Sequence, residues 1–154
     1  MASIRTVMVD DAALVTEHRH KMFVDAGKPD DAALRAMSDA FLSWVRAKIQ
    51  AGQYFGWLAE EQGRVVSGIG MMVIEWPPHP LHLEPLRGYI LNVYTEPAYR
   101  GRGIAKQLTQ LAMEEAKKRQ LSLTILHATS MGKPLYEKLG FTGTNEMQWS
   151  TLSS

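Results

Sequence analysis

Arg100-Gly101-Arg102-Gly103-Ile104-Ala105 stands between a strand-like run, Tyr89 to Tyr94, and a helix-like run, Ile104 to Lys118. A strand that passes through two glycines into a helix gathers backbone N–H groups at one point. Glycine has no Cβ to hold a ligand away from them. The first N–H groups of a helix lack partners within it and carry the positive end of its dipole. Such a junction suits a phosphate or pyrophosphate, and arginine side chains can cap the charge.

Two familiar phosphate loops do not fit. The dinucleotide fingerprint needs a third Gly or Ala three places after the second glycine, where Lys106 stands. The Walker loop needs Gly-Lys-Ser/Thr, and Gly132-Lys133 runs into Pro134. What does fit is Arg/Gln-x-x-Gly-x-Gly/Ala, read as Arg100, Gly103 and Ala105. A second element follows at a distance of one helix and one apolar strand: Lys133-Pro134-Leu135-Tyr136-Glu137-Lys138-Leu139-Gly140-Phe141. In this order the two stretches resemble the paired signatures of the GNAT acyltransferase superfamily, a pyrophosphate loop for acetyl-CoA and a short Leu-Tyr helix ending in Leu-Gly-Phe. The resemblance runs the whole length and implies one GNAT domain over residues 1–154.

Composition agrees with an ordinary globular enzyme. At 154 residues the chain is long enough to bury about two thirds of its unfolded surface. Its 45% apolar and 21% charged residues are unremarkable for a globule. A formal net charge of +1 makes no general electrostatic case for nucleic acid. With no cysteine there is no disulfide, thiolate–metal site or cysteine nucleophile, so acyl transfer is expected to be direct. His79 and His82 lack a supporting ligand set, so no metal is expected. No stretch has signal-peptide or membrane-span character, which points to the cytoplasm and away from a membrane.

Periodicity orders the elements. Ser3 to Val9 reads as a strand, and Asp10-Asp11 as an N-cap pair before a helix closed by Gly27. Pro29-Asp30-Asp31 opens a second helix that ends at Gly52. Tyr54–Ala59 and Val65–Ile74 form a hairpin around Gln62-Gly63. Prolines in Trp76 to Pro80 interrupt the sheet before a fourth strand, Gly88–Thr95. Ile104, Leu108, Leu111, Ala112 and Ala116 make a helical stripe. Strand Leu121–Leu126, helix Gly132–Leu139 and a strand pair, Phe141–Thr142 and Glu146–Thr151, close the chain. The expected fold is a GNAT-like mixed α/β sheet of about seven strands, splayed between the fourth and fifth, with helices on both faces.

The resemblance assigns roles to matching positions. It lays the pantetheine arm along the backbone of Asn92, Val93 and Tyr94, as a ligand that adds itself to a strand. The pyrophosphate falls on Arg100, Gly101, Arg102, Gly103, Ile104 and Ala105. Tyr136 becomes the general acid for the departing thiolate, and also touches the cofactor. Relatives often carry Asn seven places before that tyrosine; here Thr129 or the neighbouring Ser130 would donate instead. Relatives also often carry a Glu base eleven places before the loop's first arginine, and here that place holds Tyr89. Glu146 is then a candidate base, with a surface carboxylate as its alternative. Glu75, Trp76 and His127 are candidates for touching the acceptor. The function implied is transfer of an acetyl group from acetyl-CoA to a primary amine of a small molecule or peptide, in a ternary complex. The alternative is a non-catalytic acyl-CoA sensor or interaction module. A homodimer is compatible with the family, although no sequence feature demands one.

Overall fold

The hairpin expected after Tyr54 turns at Gln62-Gly63, where both residues have positive φ, +52° and +75°. This is the backbone that a tight two-residue hairpin loop requires. In the computed structural model, which describes residues 2–152, β2 (Tyr54–Glu61) and β3 (Arg64–Glu75) form the centre of a five-stranded sheet ordered β1-β2-β3-β4-β5. β1 (Ser3–Thr6) pairs antiparallel with β2, and β4 (Leu86–Thr95) antiparallel with β3. β5 (Thr124–Leu126) lies parallel to β4, which a crossover helix, α3 (Ile104–Lys118), makes possible.

Helices cover both faces, as their stripes dictate. Ile104, Leu108, Ala112 and Ala116 of α3 close on Ala59, Val66, Met71 and Ile90. On the opposite face α1 (Ala12–Asp25) and α2 (Ala32–Gln50) pack Ala12, Val15, Phe41 and Val45 around Tyr54. Tyr54 lies flat across Gly70, where any Cβ would collide with its ring. The fully buried phenol is held by the Asn92 amide at 3.2 Å.

Three expectations change. The first strand ends at Thr6, because the chain enters a 3-10 turn at Val9–Asp11. Asp11 does not cap α1. Its carboxylate instead accepts from Arg5 Nη1 and Nη2, at 2.8 and 2.9 Å, and from the Met8 N–H at 2.7 Å. Asp31 does cap α2, accepting from the Leu34 N–H at 3.0 Å.

The sheet has five strands rather than seven. Phe141–Thr142 and Glu146–Thr151 form no ladder, and Met147 and Trp149 are 93% and 86% exposed. Alternation names the face that a strand would bury, but the strand still needs an edge to pair with. Here β5 offers only three residues.

The position that matters for function is a bulge in β4. Gly68 faces Tyr94, yet Gly70 faces Leu91, so Asn92 and Val93 share one place opposite β3. Asn92 takes φ +56°, a conformation that asparagine tolerates better than most residues. The strand alternation therefore resets. Leu91 packs toward α1 and α2, and Asn92 turns the same way to reach Tyr54 and Arg19. Val93 packs on the α3 side.

Candidate active site

The strand–loop–helix junction is built as a backbone cradle. After a 3-10 turn at Pro97–Tyr99, Gly101 and Gly103 both adopt φ +79°, and nothing stands within 4 Å of where a Cβ would be. Gly103 caps α3, whose first turn holds no acidic residue to occupy the free N–H groups. The two arginines brace this loop from behind. Arg100 Nε donates to the Thr95 carbonyl at 2.9 Å, and its Nη2 pairs with Asp25 at 2.6 Å. Arg102 Nη2 donates to the Ala98 carbonyl at 3.2 Å, and its guanidinium lies 4.9 Å over the Tyr99 ring. Open glycine positions with exposed amides suit a pyrophosphate, so the residues present fit this part of acetyl-CoA.

Beside the cradle, β4 and β5 part. Their pairing runs Gly88–Thr124, Tyr89–Ile125 and Ile90–Leu126 and stops there. Residues 92–95 consequently face a gap on that side. Tyr94 sends its carbonyl back toward β3, where Ser67 Oγ donates to it at 2.8 Å. The Asn92 side chain is buried in the opposite direction. Val93 is the middle residue of this stretch, and its backbone is left toward the gap by the alternation.

Hydroxyl groups that can carry a proton follow β5 in the chain. Tyr136, on α4 (Lys133–Lys138), packs edge-on to Phe141 with ring centroids 5.8 Å apart. Burial pushes its phenol above the ordinary tyrosine range, so it stays protonated. Thr129 Oγ1 accepts from the Gly132 N–H at 3.1 Å, which leaves its own proton to donate elsewhere.

Sequence reasoning registered Tyr89 only as a missing carboxylate, but its hydroxyl lies 2.6 Å from His127 Nδ1. The other nitrogen of His127 lies 3.9 Å from a Glu146 carboxylate oxygen. Burial, and to a lesser degree the charge of Glu146, raises the Tyr89 phenol, while Arg19 opposes the shift. Tyr89 and His127 are thus joined by a hydrogen bond, with Glu146 beside the imidazole; the sequence suggests His127 and Glu146, the two members nearest solvent. Glu75 and Trp76 lie apart from it, lining an open recess with Pro77, Pro78 and Pro85. Trp76 is 44% exposed, and the Arg87 guanidinium lies over it at 4.1 Å. Among the described residues, no three His, Cys, Asp or Glu side chains gather in a way that could hold a metal. No described helix is long and apolar enough to cross a membrane.

A mixed sheet that splays between β4 and β5, with a glycine cradle at the head of the crossover helix, defines an acyl-CoA transferase type of fold. Comparison with known proteins makes this definite. Residues 15–141 match the acetyltransferase (GNAT) family, to which this chain belongs. A GCN5-related N-acetyltransferase from Ralstonia eutropha JMP134 is 46% identical and superposes with a TM-score of 0.93, over 97% of this chain and 98% of that one. A predicted acetyltransferase from Clostridium acetobutylicum, solved with acetyl-CoA, is 29% identical, with a TM-score of 0.87 over 99% of this chain and 96% of that one. By sequence, human N-acetyltransferase 8B is 32% identical over 120 residues, which are 75% of this chain and 49% of that protein. The Escherichia coli protein YjgM, an uncharacterized N-acetyltransferase, is 34% identical over 55% of this chain and 49% of its own length. The chain thus spans about half the length of these two relatives.

Proposed function

We propose that this chain transfers an acetyl group from acetyl-CoA directly to a primary amine, with both reactants held at once. The observation that carries this reading is the open cradle at Gly101 and Gly103, set against the stretch of β4 that has no neighbour. The bound acetyl-CoA of the Clostridium relative supports it. The amides from Gly101 to Ala105 would hold the pyrophosphate, and the Val93 backbone and Thr129 hydroxyl the pantetheine arm. When bound, acetyl-CoA supplies an acyl carbonyl activated for attack by an amine.

The protein's own part is to move two protons. An alkyl amine, with an ordinary pKa of about 10.4, is mostly protonated at neutral pH and must shed a proton to attack. Tyr89 Oη takes that proton as it gives its own to His127 Nδ1. On the other side, Tyr136 Oη gives a proton to the departing sulfur. A phenol near 10 giving a proton to a thiolate near 8.5 runs uphill by about 2 kcal/mol, and burial of Tyr136 steepens the climb. Transfer must therefore accompany bond breaking. Attack leaves a second proton on the nitrogen, which passes to solvent; His127 also releases its proton after each turnover, and Tyr136 recovers one. No side chain is acylated on this route, as the lack of cysteine suggests.

A screen of thiol release from acetyl-CoA against a panel of amines tests the reading. Acceptor-dependent release is expected for at least one class. Tight acetyl-CoA binding with no release on any amine would instead favour an acyl-CoA sensor.

A further inference from the structure

Arg19 projects from α1 toward the bulge in β4, at the place where β4 and β5 part. Its Nη1 donates to Asn92 Oδ1 at 2.8 Å. Its guanidinium lies between two rings, 5.2 Å from the Phe23 centroid and 4.9 Å from that of Phe41. Nε is sealed from solvent and has no hydrogen-bond partner. Among the described residues no carboxylate pairs with Arg19, whereas Arg5 holds Asp11 and Glu60, and Arg100 holds Asp25. Arg19 is half-buried, and withdrawing part of a guanidinium from water without an anion is costly, so proteins ordinarily supply the partner.

We propose that the partner is the substrate: Arg19 binds the carboxylate of an acceptor that carries both an amine and a carboxylate, of which a free amino acid is the simplest. The proposal rests on the transferase reading above and names its acceptor class. The bond to Asn92 occupies one of five N–H donors, so Nη2 and the second proton of Nη1 are left for a ligand. The fork of a guanidinium matches a carboxylate, and the two phenyl rings hold it in one orientation. Tyr89 stands on the same face of β4 and feels the charge of Arg19. A carboxylate anchored on Arg19 therefore leaves the amine of a short acceptor near the Tyr89 hydroxyl, where its proton departs. A merely structural Arg19 would serve to hold Asn92 in its left-handed conformation and would be indifferent to what the acceptor carries.

The test measures thiol release with acetyl-CoA on free amino acids and on the matching carboxamides, which keep the amine and lose the charge. Wild type should prefer the best acid over its amide by at least about 100-fold in kcat/KM, a conservative floor for a site built to bind a polar group. Arg19→Gln should abolish that preference by lowering kcat/KM on the acid while the amide changes less than about threefold. Arg19→Lys, which keeps a charge without the fork, should fall between them. Amides as good as acids in wild type would overturn the proposal. So would equal losses on acid and amide in a folded Arg19→Gln, or inertness of both sets while calorimetry shows normal acetyl-CoA binding. Failure to bind acetyl-CoA would instead remove the transferase reading, and this proposal with it. Should Arg19→Gln not fold, the acid–amide comparison in wild type still decides.

Discussion

In the proposed reaction Tyr136 and Tyr89 are two phenols with opposite duties, and burial holds both above the ordinary tyrosine range. What separates them is the neighbour. Tyr136 packs on Phe141, and in the proposed reaction its hydroxyl serves the leaving sulfur. Tyr89 is tied to His127 and can pass a proton on. Tyr136→Phe keeps the ring packed on Phe141 and deletes only the hydroxyl. Its kcat should fall by about 10²–10⁴-fold with CoA affinity little changed, which steady-state kinetics and calorimetry will check together. Turnover within about twofold of wild type would leave water as the proton source. For the relay, Tyr89→Phe and His127→Gln should each lower kcat by about 10²-fold or more. The double variant should be no worse than the poorer single one, because links of one chain are not additive. Fully additive losses would show that the two side chains act separately.

At the scale of elements, the cradle depends on φ values that L-residues avoid. Gly103→Val puts a β-branched side chain at φ +79° and fills the open space with Cβ. It should cost about 1–2 kcal/mol in stability and also weaken CoA binding by at least about tenfold. Gly63→Val, at φ +75° on the hairpin tip, should carry similar strain and leave CoA affinity unchanged. Thermal melts and calorimetry on the pair will separate strain from lost binding. This loop was legible in the sequence because two glycines beside a helix stripe have few other uses. The braces behind it were not legible, since nothing near Arg100 in sequence indicates that Asp25 will meet it. The Tyr89–His127 pair was hidden for the same reason, as only the parallel register of β4 with β5 brings the two together. The last two strands complete the element order that the resemblance implies, and that order does not reveal that β5 offers only three residues to pair with.

Across the whole molecule, acid should act on stability through His18, which lies 2% exposed under α1 against the Tyr94 ring. Burial lowers its folded pKa below the ordinary value of 6.5. The unfolded chain therefore takes up a proton that the folded one refuses. Stability from this group is complete above about pH 6.5 and falls as pH drops through the folded value. Asp11, held low by Arg5, adds its own loss only further down, below the ordinary carboxylate range. Melts between pH 8 and pH 5 should show the wild type weakening in acid and His18→Gln showing less of that slope. An unchanged slope in the variant would assign it elsewhere. The proposed function depends most directly on the Arg100–Ala105 junction seating the pyrophosphate of CoA. Arg100→Ala with Arg102→Ala removes the braces of that loop and two nearby positive charges. Charge-assisted contacts are worth about 1.5–3 kcal/mol each when paired. Calorimetric titration of CoA into the folded double variant should therefore show affinity reduced at least about tenfold, most strongly at low salt; affinity equal to wild type would contradict the claim.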